Sequence, residues 1–335
     1  MEARSIWARA LDVAGMVATP LVPSHYVELF DPLRTTHVRH ARVVSVLRET
    51  ERTRTLTLKP GHGWRAHRAG QFVTVSVDVD GRLLARTYSI SSSPDRGDGL
   101  FTLTVTAMGR VSNALVHATR PGDYVRIGLP QGDFTLPEVV PGRLLFVTGG
   151  SGVTPVRAML RTLALRRAMP DVVHLHYARS EADAIFGAEL RQLARDFPTY
   201  RFEPRYATEP VFSATALAEI APDFRERAAW ACGPESLLDA VSALLPGVRV
   251  ERFRAKLAPA APDACGGRVR FGRSERELDG DGATPLLQLA ERAGLNPPHR
   301  CRIGICHSCD ATMRSGAVRD LRTGRRLDEP GARIQ

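Results

Sequence analysis

The chain has 335 residues, 43% of them hydrophobic, and a formal net charge of +10. That length holds two or three ordinary domains with real cores, and no apolar run approaches the length of a membrane span, which excludes a disordered chain and a helical membrane protein. The charge is almost all arginine, Lys59 and Lys256 being the only lysines, and it forms no basic run interleaved with aromatics. A nucleic-acid partner is therefore not expected, and attraction to an acidic protein is the better use of the charge.

Residues 1–37 read as an arm. Ile6, Trp7, Ala10, Leu11 and Ala14 recur at helical spacing until Pro20 and Pro23 end any helix. A helix packed on the next domain is the plain reading, and membrane contact is expected only through this arm or a partner. Residues 38–138 carry short β-branched runs separated by turn residues (41–46, 71–77, 101–106 and 123–127), the grammar of an antiparallel β-barrel. Across 139–254 strands and helices alternate: strands at 144–148, 172–177 and 227–232, helices at 155–166 and 188–195. That pattern predicts a parallel α/β domain. Residues 255–266, rich in Ala and Pro, form a linker, and 267–335 make a last module with a hairpin and one helix. In that helix Thr284 is the expected N-cap and Pro285 the first turn, with Leu286, Leu289, Ala290 and Ala293 on the apolar face.

Four motifs carry chemistry. Gly150-Ser-Gly152-Val-Thr154-Pro155 lies between a buried strand and a helix, where glycines let backbone approach a pyrophosphate and the helix N-terminus favours anions. A tight structural turn is the alternative for this loop alone. Cys232-Gly233-Pro234-Glu235 ends a later strand, and alone it reads as a small core cysteine before a turn. Phe253 closes the α/β domain and is equally readable as a core aromatic. Finally, Cys301-Arg-Ile-Gly-Ile-Cys306-His-Ser-Cys309 has the C-x4-C-x2-C spacing of a plant-type [2Fe–2S] cluster. A zinc loop would need a second pair of ligands, and no second hook exists. Cysteines in such a loop suit a reducing compartment, and no secretory signal is evident, so the expected location is cytoplasmic. The plant-type pattern also needs a fourth cysteine downstream, and Cys232 and Cys265 both lie upstream.

With Arg86-Thr87-Tyr88-Ser89-Ile90 followed by Gly109-Arg-Val111-Ser112-Asn113, the chain resembles the ferredoxin–NADP reductase superfamily across residues 38–335. The resemblance implies an antiparallel β-barrel flavin domain, a parallel α/β nicotinamide-binding domain and a C-terminal β-grasp ferredoxin-like domain. It implies that Arg86 pairs with the FAD pyrophosphate, that Tyr88 lies against the isoalloxazine and that Ser89 bonds near N5. Thr87, Gly109, Val111, Ser112 and Asn113 would complete the flavin site. Gly150, Gly152, Thr154, Pro155, Gly233 and Pro234 would hold the nicotinamide cofactor, with Cys232 near the reacting carbon and Phe253 shielding the flavin. Arg179 and Ser180, with Arg205 nearby and Glu181 opposing, favour NADPH, with NADH as the alternative. Cys301, Cys306 and Cys309 would be the metal ligands. The run Glu329–Gln335 resembles the segment leading into the fourth cysteine, which is therefore expected shortly after Gln335. Residues 18–30 resemble the arm of actinobacterial reductases that serve fatty-acyl desaturases, so the expected acceptor is a desaturase or an oxygenase, and the expected state a monomer. Two rivals are a cluster-free flavin oxidoreductase with a soluble acceptor and a non-catalytic polyanion-binding protein. The second does not explain three cofactor loops in order.

Overall fold

In the computed structural model of the chain, residues 30–35, 37–206, 212–253, 266–298, 309–321 and 324–334 are described. The helix expected in the arm, linker residues 255–265, and Cys301 and Cys306 lie outside the described residues. The chain divides into two compact units after Glu251. Among the described residues no helix is long and apolar enough to cross a membrane.

The first unit begins with six strands: β1 (His40–Arg48), β2 (Thr53–Pro60), β3 (Phe72–Val79), β4 (Arg82–Ser89), β5 (Phe101–Thr106) and β6 (Tyr124–Ile127). Their order is β4-β3-β6-β1-β2-β5, with every pairing antiparallel. An Ile90↔Leu103 bridge and a Ser91 N–H to Thr102 carbonyl bond of 2.9 Å close the sheet on itself, so a barrel forms. β2 and β4 escape a reading based on apolar runs because Thr and Arg fill many of their positions. Val43, Leu56, Leu58, Val73, Val75, Leu103 and Val105 fill the interior. A helical turn, α1 (Arg110–Asn113), widens into π-helical geometry over Ala114–Ala118 and buries Val111, Leu115 and Val116 in the same core.

The second half of this unit alternates β7 (Arg143–Gly149), α2 (Val153–Leu165), β8 (Asp171–Ala178), α3 (Gly187–Asp196), β9 (Tyr200–Tyr206), α4 (Ala214–Ile220), β10 (Ala228–Cys232), α5 (Glu235–Leu244) and β11 (Arg249–Glu251). All sheet pairings are parallel, in the order β9-β8-β7-β10-β11. Leu144, Phe146 and Trp230 face Val156, Met159, Leu160 and Leu190 on one side. Leu145, Val147, Val173 and Ala231 face Leu217, Leu238 and Val241 on the other. The helix α2 starts before the expected position, and Pro155 falls in its first turn, where a missing N–H leaves no intrahelical bond unmade.

One side of this core is not apolar. The Thr148 hydroxyl lies 2.8 Å from both His174 Nε2 and His176 Nδ1, and His174 Nδ1 lies 2.9 Å from the Tyr200 hydroxyl. Burial holds both imidazoles neutral, His174 well below its ordinary value, His176 lowered to about 4.

The second unit has a hairpin of β12 (Gly267–Phe271) and β13 (Arg276–Gly280), the helix α6 (Leu286–Arg292), and the short ladders β14 (Ala311–Thr312) with β17 (Arg333–Ile334) and β15 (Val318–Arg319) with β16 (Arg326–Leu327). Among its described residues Leu289, Ala290 and Met313 are the buried apolar ones. Pro285 rather than Thr284 occupies the N-cap of α6. Asp281 takes Thr284 instead, accepting from its N–H and its hydroxyl, the latter at 2.8 Å, while the Ala283 N–H closes the Asx turn to the same carboxylate at 2.9 Å.

The two histidines give the fold a pH signature. Their folded pKa values are depressed below 6.5, so the unfolded chain binds protons first as pH falls, and their contribution to stability is lost from about 6.5 downward. In His176→Asn, urea unfolding measured across that window should show a shallower loss of stability than wild type.

Candidate active site

Arg86–Ser89 of the first motif form the second half of β4. Arg86, Thr87, Tyr88 and Ser89 pair with Val75, Thr74, Val73 and Phe72 of β3. Strand alternation puts Arg86 and Tyr88 on one face and Thr87 and Ser89 on the other. The Arg86 Nη1 donates to the Ala85 carbonyl at 2.7 Å. Burial pushes the Tyr88 hydroxyl well above its ordinary range, with Arg86 opposing, so Tyr88 is a neutral aromatic at any working pH. Its ring packs against the barrel core.

The second motif caps α1. Gly109 is the N-cap, and a Cβ there would meet open space, so the backbone can be approached closely from that side. The Ser112 hydroxyl accepts from the Gly109 N–H at 2.9 Å and the Met108 N–H at 3.0 Å, and donates to the Gly109 carbonyl. The Asn113 side chain donates to the same carbonyl at 3.0 Å. Both side chains therefore shape the loop.

The nucleotide motif sits where the sheet order reverses, since β7 has β8 on one side and β10 on the other. In open α/β sheets the crevice at that reversal, beyond the carboxyl ends of the strands, is the ligand position. The loops after β7 and β10 meet there backbone to backbone. A Cβ on Gly152 would lie 2.0 Å from the Cys232 carbonyl oxygen, and one on Gly149 would lie 2.6 Å from Pro234. Gly150 differs: its φ of +52° needs a glycine, and a Cβ there would meet open space. The two motif glycines thus divide the work, Gly152 packing the loops and Gly150 leaving the outer side open for a ligand. Thr154 ties the turn by donating to the Ser151 carbonyl at 2.8 Å. Cys232 itself is fully buried, and burial, with Glu251 adding to it, holds its thiol protonated.

Past β8, Arg179 Nη2 donates to Asp183 Oδ1 at 2.9 Å and the Ser180 hydroxyl to Oδ2 at 3.0 Å. Glu181 pairs with Arg191 at 2.7 Å, and Arg205 lies 3.9 Å from Glu203. Phe253 follows β11, in the second unit, and is 40% exposed. Cys309 is half-buried in the turn before β14, and the adjoining Asp310 is paired with Arg333 of β17.

One residue escaped the sequence reading. Glu251 ends β11 directly beside Cys232 in the sheet register, and burial together with the Asp133 carboxylate raises its carboxyl to about 7. No motif marks it; only the parallel pairing of β10 with β11 brings it to the loop edge.

Comparison with known proteins agrees with this arrangement. Residues 41–136 match the family model for an oxidoreductase FAD-binding domain, 146–243 that for an oxidoreductase NAD-binding domain, and 269–333 that for a 2Fe-2S iron-sulfur cluster binding domain. An NADPH oxidoreductase of Mycobacterium tuberculosis is 42% identical over 98% of this chain and 89% of its own length. The glycine betaine monooxygenase reductase subunit of Pseudomonas aeruginosa is 30% identical over 87% of this chain and 89% of its own. Phthalate dioxygenase reductase, 23% identical, superposes with a TM-score of 0.63 over 88% of this chain and 92% of its own, which establishes the shared fold.

A barrel flavin domain, a nucleotide domain with glycines at its switch point and a 2Fe-2S module define an electron-transferring oxidoreductase. The chain belongs to the ferredoxin reductase family of FAD- and [2Fe-2S]-containing oxidoreductases, whose members include reductase components of oxygenases. It carries electrons from NAD(P)H through FAD to the cluster.

Glu251 supplies a test of the crevice electrostatics. Its folded pKa lies above the ordinary 4.5, so between 4.5 and about 7 the folded state keeps a proton that the unfolded chain releases. Its contribution to stability falls across that window as pH rises. Glu251→Gln should flatten this slope in chemical denaturation and be the more stable form at about pH 8.

Proposed function

We propose that this chain is an NADPH-dependent reductase whose acceptor, beyond its own cluster, is a metal-centred oxygenase or fatty-acyl desaturase. The observation that carries the nucleotide reading is the Gly150–Pro155 loop wedged against Cys232–Pro234 at the switch point. Bound FAD would supply the chemistry that couples a two-electron nicotinamide donor to a one-electron iron–sulfur acceptor. Arg86 is the flavin's charge-assisted anchor, with Tyr88 as a neutral wall for its ring and Ser89 as a hydroxyl at its edge. Thr87 and Val111 frame the site, and Gly109 with the amides of Ser112 and Asn113 serves the second phosphate. Because the Ser112 hydroxyl is spent on the Gly109 carbonyl, backbone donors carry that contact. Gly150, Gly152, Thr154 and Pro155 hold the nucleotide pyrophosphate, and Gly233 and Pro234 border the nicotinamide. Cys232, a buried neutral thiol, shapes that border by packing. Phe253 is the candidate shield for the flavin, and Cys301, Cys306 and Cys309 are the cluster ligands. The relatives named as monooxygenase reductase subunits support an oxygenase acceptor; the desaturase rests on the arm's resemblance alone.

Support for NADPH comes from Arg179 and Ser180 and from the name of the 42%-identical relative. Asp183 complicates the site: its carboxylate engages the same guanidinium and hydroxyl that a 2′-phosphate would need. A phosphate must displace it and bear its charge.

Two experiments test these roles. Arg86→Ala should lose FAD on gel filtration, since a charge-assisted hydrogen bond is worth roughly 1.5–3 kcal/mol; full flavin occupancy would remove the assignment. Asp183→Asn should lower KM for NADPH several-fold and leave KM for NADH nearly unchanged. Equal effects on both nucleotides would take Arg179, Ser180 and Asp183 out of the selectivity site.

A further inference from the structure

We infer that Arg157 is a positioning residue that fixes the nucleotide-binding loop against the flavin-binding strand and so sets the distance over which the electron pair is transferred. The inference rests on the reading of Arg86–Ser89 and Gly150–Pro155 given above. Arg157 lies on α2, five residues beyond Gly152, and its side chain is 15% exposed. Three groups hold the guanidinium. Nη1 donates to the Ser91 carbonyl at 2.8 Å, while Nε and Nη2 form a fork to the two Glu189 oxygens at 2.9 and 2.8 Å. Its Cζ lies 4.4 Å from the centroid of the Phe186 ring.

These partners come from opposite sides of the interface between barrel and α/β domain. Glu189 and Phe186 sit at the start of α3. Phe186, the N-cap there, has φ +62°, a left-handed conformation that a bulky side chain adopts only under constraint. Ser91 belongs to the barrel, two residues past Ser89. Its peptide is itself pinned, the N–H to the Thr102 carbonyl and the hydroxyl to Thr102 and Thr104 at 2.8 and 2.9 Å. A single side chain therefore connects the end of the flavin strand to the first turns of the nucleotide helix, and both its ends are rigid. Only arginine can meet the Glu189 fork and still offer a further N–H to the carbonyl; lysine has no planar fork.

The rest of the interface does not depend on it. Further along α2, the Thr162 hydroxyl donates to Ser93 Oγ at 2.8 Å and Arg166 pairs with Asp95 at 2.6 Å. Trp230 Nε1 donates to the Thr135 carbonyl at 3.3 Å, holding the interdomain connection on the sheet. Loss of Arg157 should loosen the interface at its catalytic end while these contacts keep the domains docked.

The test uses the holoprotein with FAD bound. In Arg157→Met, FAD occupancy should be unchanged and the Kd for NADPH should move by less than about 3-fold. The anaerobic single-turnover rate of flavin reduction should fall about 10- to 100-fold, the scale of a displacement near 1 Å. Amide hydrogen exchange in peptides spanning 89–95 should speed up in the same variant. Arg157→Lys should stay slow, and Arg166→Met should reduce its flavin at the wild-type rate. A wild-type rate in Arg157→Met, or unchanged exchange across 89–95, overturns the inference. Should Arg157→Met fail to fold, Arg157→Lys, which keeps the cation without the planar fork, carries the same rate and exchange measurements, and a wild-type rate there overturns the inference. Failure of the underlying reading looks different: Arg86→Ala would keep its flavin, whatever the exchange data say about Arg157 and Ser91.

Discussion

The contact between Gly152 and the Cys232 carbonyl is the constraint on which the first unit turns. A Cβ at 152 would fall 2.0 Å from that oxygen, so the ends of β7 and β10 approach only as bare backbone. That approach sets where α2 begins, and α2 in turn carries the side chains that reach the barrel. The open side of Gly150 is left at the strand-order reversal, where a pyrophosphate can meet helix amides. Geometry at one pair of turns thus propagates along a helix to the contacts that α2 makes with the barrel.

Polar groups within the first unit strengthen this reading. Buried hydroxyls and imidazoles cost free energy unless partnered, and once partnered they accept few alternative packings. Thr148 joins His174 and His176 across β7 and β8, while Ser91, Thr102, Thr104 and Thr55 form a buried hydroxyl ladder on the face of β2 and β5 opposite the barrel core, with Thr55 donating to Glu49 at 2.6 Å. The first network lies on one face of the nucleotide domain's sheet, and the second includes Ser91 itself. Each gives the strands it joins a rigid base, which apolar packing alone supplies less specifically.

Charge is arranged locally in the same spirit. Arginines dominate the composition, yet Arg157, Arg161, Arg166 and Arg227 are each engaged by carboxylates. A net charge of +10 therefore says little about any one guanidinium. Arg179 illustrates the point, because its partner Asp183 is four residues away and invisible to a motif that stops at Ser180.

The amino-acid sequence by itself determined the class of the protein. Glycines, a proline and cysteines at fixed spacings act through local backbone geometry and covalent ligand chemistry, so the NAD-binding and 2Fe-2S domains that carry them were legible without a fold. Short β-branched and apolar runs likewise marked β1, β3, β5, β6, β7, β8 and β10. What depends on partners distant in the chain was not legible. β2 and β4 hide among threonines and arginines because their burial comes from barrel closure. Glu251 reaches the crevice only because β11 pairs with β10, and Thr284 cedes its capping position to a turn built by Asp281. Arg157 looks like any helical arginine until Ser91, 66 positions earlier, turns its carbonyl toward it. Spacing encodes what one loop can do, whereas desolvation and the meeting of separate strands exist only once the chain has folded.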